Sequence, residues 1–334
     1  MSFGLSFWIS LLAIAGLVLV AYIGVEAAHL SYLFGVIIPY AAFAIFVLGI
    51  IYRVLFWAAR PVPFRIPTTA GQQKSLPWIK QNKIDNPFTA LGVFIRMVFE
   101  VLLFRSLFRN LRSEMQSGPR LSYASSKWLW VAALAFHYSF LVILLRHLRL
   151  FTEPVLTLVK YLETLDAFFQ VGAPLLYLTD IVLIGAVTYL FLRRVLIPMM
   201  RYISLPADYF PLFLILGIGI SGVLMRYFFK VNVIGIKELT MGLISFNPVI
   251  PEGIGVLFYI HLFFVSTLFA YFPFSKLTHM AGVFLSPTRN IANNNRAELH
   301  VNPWSYPVKV HTYEEYEEEF REFMKDAGIP VEKE

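Results

Sequence analysis

The chain has 334 residues, is 58% hydrophobic and only 15% charged, and carries a formal net charge of +7. That balance excludes an ordinary soluble domain and fits a polytopic membrane protein surrounded by lipid. There is no cysteine, which excludes disulfides, thiol catalysis, covalent haem attachment and cysteine-held iron–sulfur clusters within this chain.

Phe3 to Ile23 is apolar and long enough to cross a ~30 Å hydrocarbon core at ~1.5 Å per residue. It lacks a basic leading region and a small-residue cleavage site, so it reads as an anchor. A short loop with Glu26 and His29 leads to a second span, Leu33 to Trp57, flanked by Arg53 and Arg60. Residues 1–57 therefore form a two-span unit. Residues 58–126 are the longest polar stretch. From Arg53 through Lys127, twelve basic residues stand against three acidic ones, which puts this loop on the cytoplasmic side. The basic residues are dispersed and form no aromatic-interleaved patch, so nothing points to nucleic acid. Within the loop, Phe88 to Phe108 is apolar but interrupted by Arg96, Glu100, Arg105 and Arg109. The pattern predicts an amphipathic helix in the interface, with Arg96 and Glu100 as i,i+4 partners.

Trp128 to Leu148 is the third span, running outward. Residues 151–170 read as a short amphipathic helix on the outer face. Val171 to Leu192 is the fourth span, with Arg193, Arg194 and Arg201 on the inside. Tyr209 to Phe229 is the fifth, ending outside at Arg226 and Lys230. Residues 231–252 form an outer loop, and Ile254 to Phe272 returns as the sixth span. Pro273 should break its end. Residues 127–285 thus make a four-helix unit. Residues 286–334 make a polar cytoplasmic tail that ends in an acidic helix, YEEYEEEFREFMK. No internal repeat of the inverted-repeat transporter kind is visible. The expected fold is an all-α polytopic bundle of six transmembrane helices in the cytoplasmic membrane, with both termini cytoplasmic.

Four of the seven histidines lie on or beside two apolar segments: His137 and His147 on the third span, His261 and His279 on and beyond the sixth. Ionisable groups inside a membrane are costly and mark function. Because the two helices are antiparallel, depth pairs His147 with His261 near the outer surface and His137 with His279 near the cytoplasm. Each pair suits one flat cofactor, with histidine on both axial positions of a haem b iron. Two such groups would conduct electrons across the bilayer, since bis-histidine ligation leaves no open coordination position. The ten-residue step rises ~15 Å and the eighteen-residue step ~27 Å on straight helices. Tilt or the Pro273 break must absorb the difference. Competing readings are interhelical hydrogen bonding, a proton relay in a transporter or channel, and a haem-free anchor for a soluble complex. Few other ionisable groups and no broken helix pair argue against the relay.

Other features receive plainer readings. His29, His300 and His311 lie in loops or the tail and read as solvated, although His29 is at the outer surface where a quinone could approach. Gly217, Gly219 and Gly222 spell GxGxxG, but in an apolar helix with no preceding strand they permit close helix packing. Arg146, Arg149 and Arg226 end spans on the outer side. Haem propionates need such partners, and lipid headgroups compete for them.

The spacing of the four histidines resembles the haem ligands of the nitrate reductase gamma-subunit family, the NarI-type cytochromes b. The LPADYFPLFLILGIGISGVLMRY stretch resembles that family's penultimate helix, and the likeness covers about residues 120–285. The extra first span and the long basic loop look more like the DsrM (HmeC) branch, the NarI-like membrane subunits of sulfite-reduction-associated DsrMKJOP complexes. The resemblance implies two haems b in a NarI-like bundle, with His137 and His279 on the cytoplasmic one and His147 and His261 on the outer one. It implies menaquinol or menaquinone near the outer haem. It also implies a cytoplasmic Fe–S partner like the catalytic subunit of heterodisulfide reductase (DsrK), with transfer toward a sulfur substrate carried by DsrC. A gamma subunit of another respiratory reductase is the nearest alternative. The missing cysteines independently require a redox partner, and the basic loop and acidic tail offer it surfaces. Quinol oxidation needs a proton acceptor beside the outer haem. Lys160 is the first candidate, with Asp166 and Asp180 behind it.

Overall fold

In hydrocarbon every backbone N–H and C=O must be satisfied within its own segment, so long apolar runs become helices. The computed structural model describes residues 3–60, 62, 64–66, 68, 71–118, 120–167, 175–298, 307 and 310–333. Its elements are α1 (Phe3–Tyr22), α2 (Ile38–Ala58), α3 (Ala90–Leu103), β1 (Leu111–Gln116), β2 (Arg120–Ser125), α4 (Lys127–His147), α5 (Thr157–Asp166), α6 (Leu178–Leu196), α7 (Pro206–Val223), α8 (Val233–Ile244), α9 (Val256–Tyr271) and α10 (Tyr313–Asp326).

Five segments are long and apolar enough to cross a membrane: Gly4–Ala27, Leu33–Ala58, Lys127–Leu150, Pro206–Phe228 and Val256–Phe274. The chain is a multi-pass membrane protein. In the expected fourth span, Val171 to Leu192, the described helix begins at Leu178. This helix, α6, has 19 residues and carries Asp180, Arg193 and Arg194. Length and composition alone therefore leave it outside the five. Residues 168–174 lie outside the described residues.

α6 packs between α4 and α7, α7 packs on α1 and α9, and α9 packs on α1 and α2. One apolar core joins Leu183, Val187, Leu214, Ile215, Phe264 and Leu268 across α6, α7 and α9. A second joins Ala21, Val25, Phe34 and Val36 to Ile236, Leu239, Phe258 and Tyr259. The second core shows that the expected outer loop is structured. It contains α8, whose Leu239 is fully buried. Tyr40 reaches across to donate to the Leu243 carbonyl at 2.7 Å.

The long loop before α4 is also more than a solvated basic stretch. The expected amphipathic helix is present as α3, capped by the Thr89 hydroxyl, which accepts from Gly92 N–H. Arg96 and Glu100 are both buried but engage different partners. Arg96 donates to the Asp85 carbonyl, and Glu100 pairs with Arg289 at 2.8 Å. An antiparallel hairpin, β1–β2, follows and was not anticipated. The loop is tied to the start of the tail. Asn293 N–H donates to the Pro87 carbonyl at 2.7 Å, and Arg65 Nε donates to the Thr288 carbonyl at 3.2 Å. Among the described residues, α10 and its flanks carry the expected acidic helix, and His311 lies 3.7 Å from Glu319. His300 lies outside the described residues.

Candidate cofactor-binding site

α4 and α9 carry three of the four histidines yet lack the close backbone packing of the other neighbouring helices. What meets between them is rings. The centres of His147 and His261 are 6.5 Å apart with planes 9° from parallel. Those of His137 and His279 are 6.1 Å apart with planes at 77°. A metal–imidazole nitrogen bond is about 2 Å and the ring centre lies about 1 Å behind that nitrogen, so two axial imidazoles on one ion have centres roughly 6 Å apart. Both pairs have that spacing. Among the described residues, no three His, Cys, Asp or Glu side chains cluster to hold a bare ion. A porphyrin supplies four nitrogens itself and asks the protein for only two ligands, so the donor set fits a haem.

Each ring is oriented through Nδ1. His137 faces the Ala133 carbonyl at 2.7 Å, and His147 faces the Ile143 carbonyl at 2.7 Å. Both acceptors lie one helical turn back. His279 faces the Lys276 carbonyl at 2.8 Å. A carbonyl only accepts, so Nδ1 carries the proton and Nε2 keeps its lone pair for a metal. His261 differs: its Nδ1 meets the Ser221 hydroxyl of α7 at 2.8 Å. A hydrogen bond to the ring nitrogen turned away from the cofactor fixes tautomer and ring direction.

The eighteen-residue step is absorbed at Pro273. α9 stops at Tyr271, two short 3-10 turns follow, and His279 begins a new turn. Three contacts hold this turn. Arg53 Nε donates to the Pro273 carbonyl at 2.8 Å. Lys276 Nζ pairs with Asp208 Oδ1 at 2.7 Å. The Ser275 hydroxyl accepts from Leu277 N–H at 3.1 Å. His137 is wedged between Phe104, 4.9 Å away, and Phe136, 4.8 Å away. Phe104 adopts the left-handed conformation that ends α3, so the loop before α4 reaches the His137–His279 pair directly.

Beside the outer pair lies a buried polar network that sequence reasoning did not assemble. Arg146 precedes His147 and is only 7% exposed. It meets Asp166 at 3.1 Å and Asp180 at 2.5 Å, and its guanidinium sits 3.8 Å over the Tyr177 ring. Thr179 donates to Asp166 through its N–H at 2.9 Å and its hydroxyl at 2.6 Å. The Tyr227 hydroxyl donates to Asp180 Oδ2 at 2.9 Å and accepts from Tyr177 N–H at 3.0 Å. Arg226 lies 4.1 Å over the same Tyr177 ring and donates to the Leu175 carbonyl at 3.2 Å. Arg149 pairs with Glu163 at 2.8 Å. These arginines are engaged by protein groups, which the headgroup reading does not anticipate. Lys160 is exposed on α5, whereas Asp166, on the same helix, is buried.

An apolar bundle with paired histidines at two depths is the arrangement of a membrane cytochrome b, and the family comparison agrees. The nitrate reductase gamma-subunit family model matches residues 87–292, and the chain belongs to that family. The match begins in the long loop before α4, earlier than the resemblance suggested. A protein of Archaeoglobus fulgidus described as an Hdr-like menaquinol oxidoreductase cytochrome b-like subunit is 46% identical over 279 residues, covering 81% of this chain and 83% of the relative. Its namesake in Archaeoglobus profundus is 44% identical over 286 residues, covering 84% and 83%. Both agree with the DsrM-like reading.

Proposed function

We propose that the chain is the cytochrome b subunit of a menaquinol-dependent membrane redox complex. It holds two haems b, one between His147 and His261 toward the outer face and one between His137 and His279 toward the cytoplasm. The observation that carries this reading is the pair of ring–ring distances, 6.5 and 6.1 Å, with every Nδ1 engaged elsewhere. Bound haem supplies one-electron transfer at an iron with no open position. The chain itself holds and orients four imidazoles, three through backbone carbonyls and one through Ser221, and packs Phe104 and Phe136 against His137.

Without cysteine, the chain must exchange electrons with another subunit. The name shared by the two relatives supports menaquinol as one redox partner and an Hdr-like assembly as the other. In this reading a DsrK-like cytoplasmic Fe–S subunit of a DsrMKJOP-like complex completes the path in sulfur metabolism. α6 also crosses the membrane, as the fourth of six spans, with Arg193 and Arg194 at its cytoplasmic end and Asp180 paired to Arg146 inside the protein. Both termini are then cytoplasmic. Quinol oxidation releases protons, and Asp180, hydrogen-bonded to Tyr227 beside the outer pair, is the acceptor we assign in place of exposed Lys160. Arg226 is the candidate propionate partner.

Pyridine haemochrome analysis of the detergent-purified chain tests the proposal, with about two haems b expected per polypeptide. His147→Ala or His261→Ala should remove one, and His137→Ala or His279→Ala the other. Folded protein without haem overturns the reading and favours a relay or anchor.

A further inference from the structure

Three of the four rings find their Nδ1 acceptor on their own segment's backbone. His261 alone is held from another helix, by the Ser221 side chain of α7 at 2.8 Å with the Ile218 carbonyl of the same helix also within hydrogen-bonding reach. Ser221 Oγ lies 2.8 Å from His261 Nδ1, 2.7 Å from the Gly217 carbonyl and 3.1 Å from the Ile218 carbonyl. A hydroxyl has one proton and two acceptor lone pairs, and a carbonyl can only accept. With the hydroxyl proton on Gly217, Nδ1 must be the donor to Ser221. The opposite order would place the imidazole proton on Nε2 and abolish it as a ligand.

Such a short side chain reaches across only because the helices approach closely. A Cβ at Gly217 would stand 3.0 Å from the Phe264 ring of α9, and one at Gly222 would stand 3.5 Å from His261 Cε1. Gly217 in particular permits the close approach of α7 to α9 that this hydrogen bond needs. Ser221 is itself buried, at 4% exposure.

We infer that Ser221 is a positioning residue that sets the tautomer, direction and donor strength of His261, and so tunes the reduction potential at the outer pair separately from the inner pair. This rests on the haem reading above. A hydrogen bond accepted from Nδ1–H makes the imidazole a stronger electron donor to a metal and stabilises the oxidised state. Removing the acceptor favours reduction.

The experiment is a potentiometric titration of the purified holoprotein, followed by optical and low-spin electron paramagnetic resonance spectra, with haem content measured in parallel. Ser221→Ala should raise the outer haem's reduced-to-oxidised ratio at fixed poise by about tenfold, equivalent to ~59 mV for one electron. The inner haem should not move. Ser221→Thr, which keeps the hydroxyl, should keep the wild-type potential. Loss of the outer haem in Ser221→Ala with retention in Ser221→Thr also supports the role. If Ser221→Ala leaves both potential and resonance signal unchanged while His261→Ala loses the outer haem, the role of Ser221 is wrong and the haem reading stands. If His261→Ala loses no haem, the underlying ligand reading fails.

Discussion

Asp85 is buried beneath arginines that use both ends of it. Arg65 and Arg96 donate to its backbone carbonyl, while Arg105 and Arg109 pair with its carboxylate. Burial pushes the carboxyl up, but the hydrogen bond and charge of Arg105 and the charge of Arg109 outweigh it, and the group is held below its ordinary range. Arg65 is pushed down to about 10, first by burial and then by the charge of Arg96, so it remains a cation at neutral pH. A depressed folded pKa means that Asp85 contributes its full stabilisation above the ordinary carboxylate value of about 3.9. The contribution fades as pH falls through the lower folded value. Asp85→Asn should therefore lower the thermal unfolding temperature clearly at pH 7, and the gap to wild type should close in acid. Scanning calorimetry or intrinsic fluorescence in detergent reads this. A gap independent of pH would mean that the carboxylate charge is not what holds the cap.

At the scale of elements, the turn after α9 decides whether His279 can meet His137. α2 lies against that turn so closely that a Cβ at Gly49 would come 2.5 Å from Pro273 Cβ. Four residues on, Arg53 binds the Pro273 carbonyl. From the other side, α7 holds Lys276 through Asp208, and Asp208 also accepts from Leu205 N–H at 3.1 Å at the start of its own helix. Gly49→Val should push the turn aside and lower inner-haem occupancy several-fold while leaving the outer haem in place. Haem content resolved by spectrum or redox potential checks this, and equal loss of both would point to general misfolding. α2 lies before the matched family region, residues 87–292, so the N-terminal helices brace a site that the family segment carries.

At the scale of the molecule, the open question is how often the chain crosses the membrane. The chain has no cysteine, so single introduced cysteines report topology without background. Leu158 is 61% exposed, Ile234 83%, Tyr202 89% and Trp78 77%, so all four should react once the reagent reaches them. With six spans, Leu158→Cys and Ile234→Cys should label with an impermeant maleimide on intact cells. Tyr202→Cys and Trp78→Cys should label only after permeabilisation. Labelling of Tyr202→Cys from outside would mean that α6 does not cross. The loop before α4 and the first part of the tail form one folded cap, sharing hydrogen bonds such as Asn293 Nδ2 to Asn86 Oδ1 at 3.0 Å. A partner at this face meets a shaped surface connected through Phe104 to His137.

Membrane embedding and the helical class were legible in the sequence, because each depends on local quantities, apolar run length and flanking charge, and the expected histidine pairs are the ones whose rings come within 6.5 and 6.1 Å in the fold. The family resemblance was legible for the same reason, since it rests on motif spacing. Other features needed the fold because they join residues distant in the chain. Ser221 meets His261 forty residues later, and Arg146 gathers Asp166 and Asp180 from other helices. Arg53 and Asp208 reach the turn at Pro273 from two sides. No periodicity encodes such contacts, because they depend on helix register and on the small gaps that glycine leaves between packed backbones. The amino-acid sequence determined which segments seek the bilayer and which carry histidine. Only the tertiary structure decided which hydroxyl, carbonyl or carboxylate each buried polar group would find, since burying such a group without a partner is too costly to leave to chance.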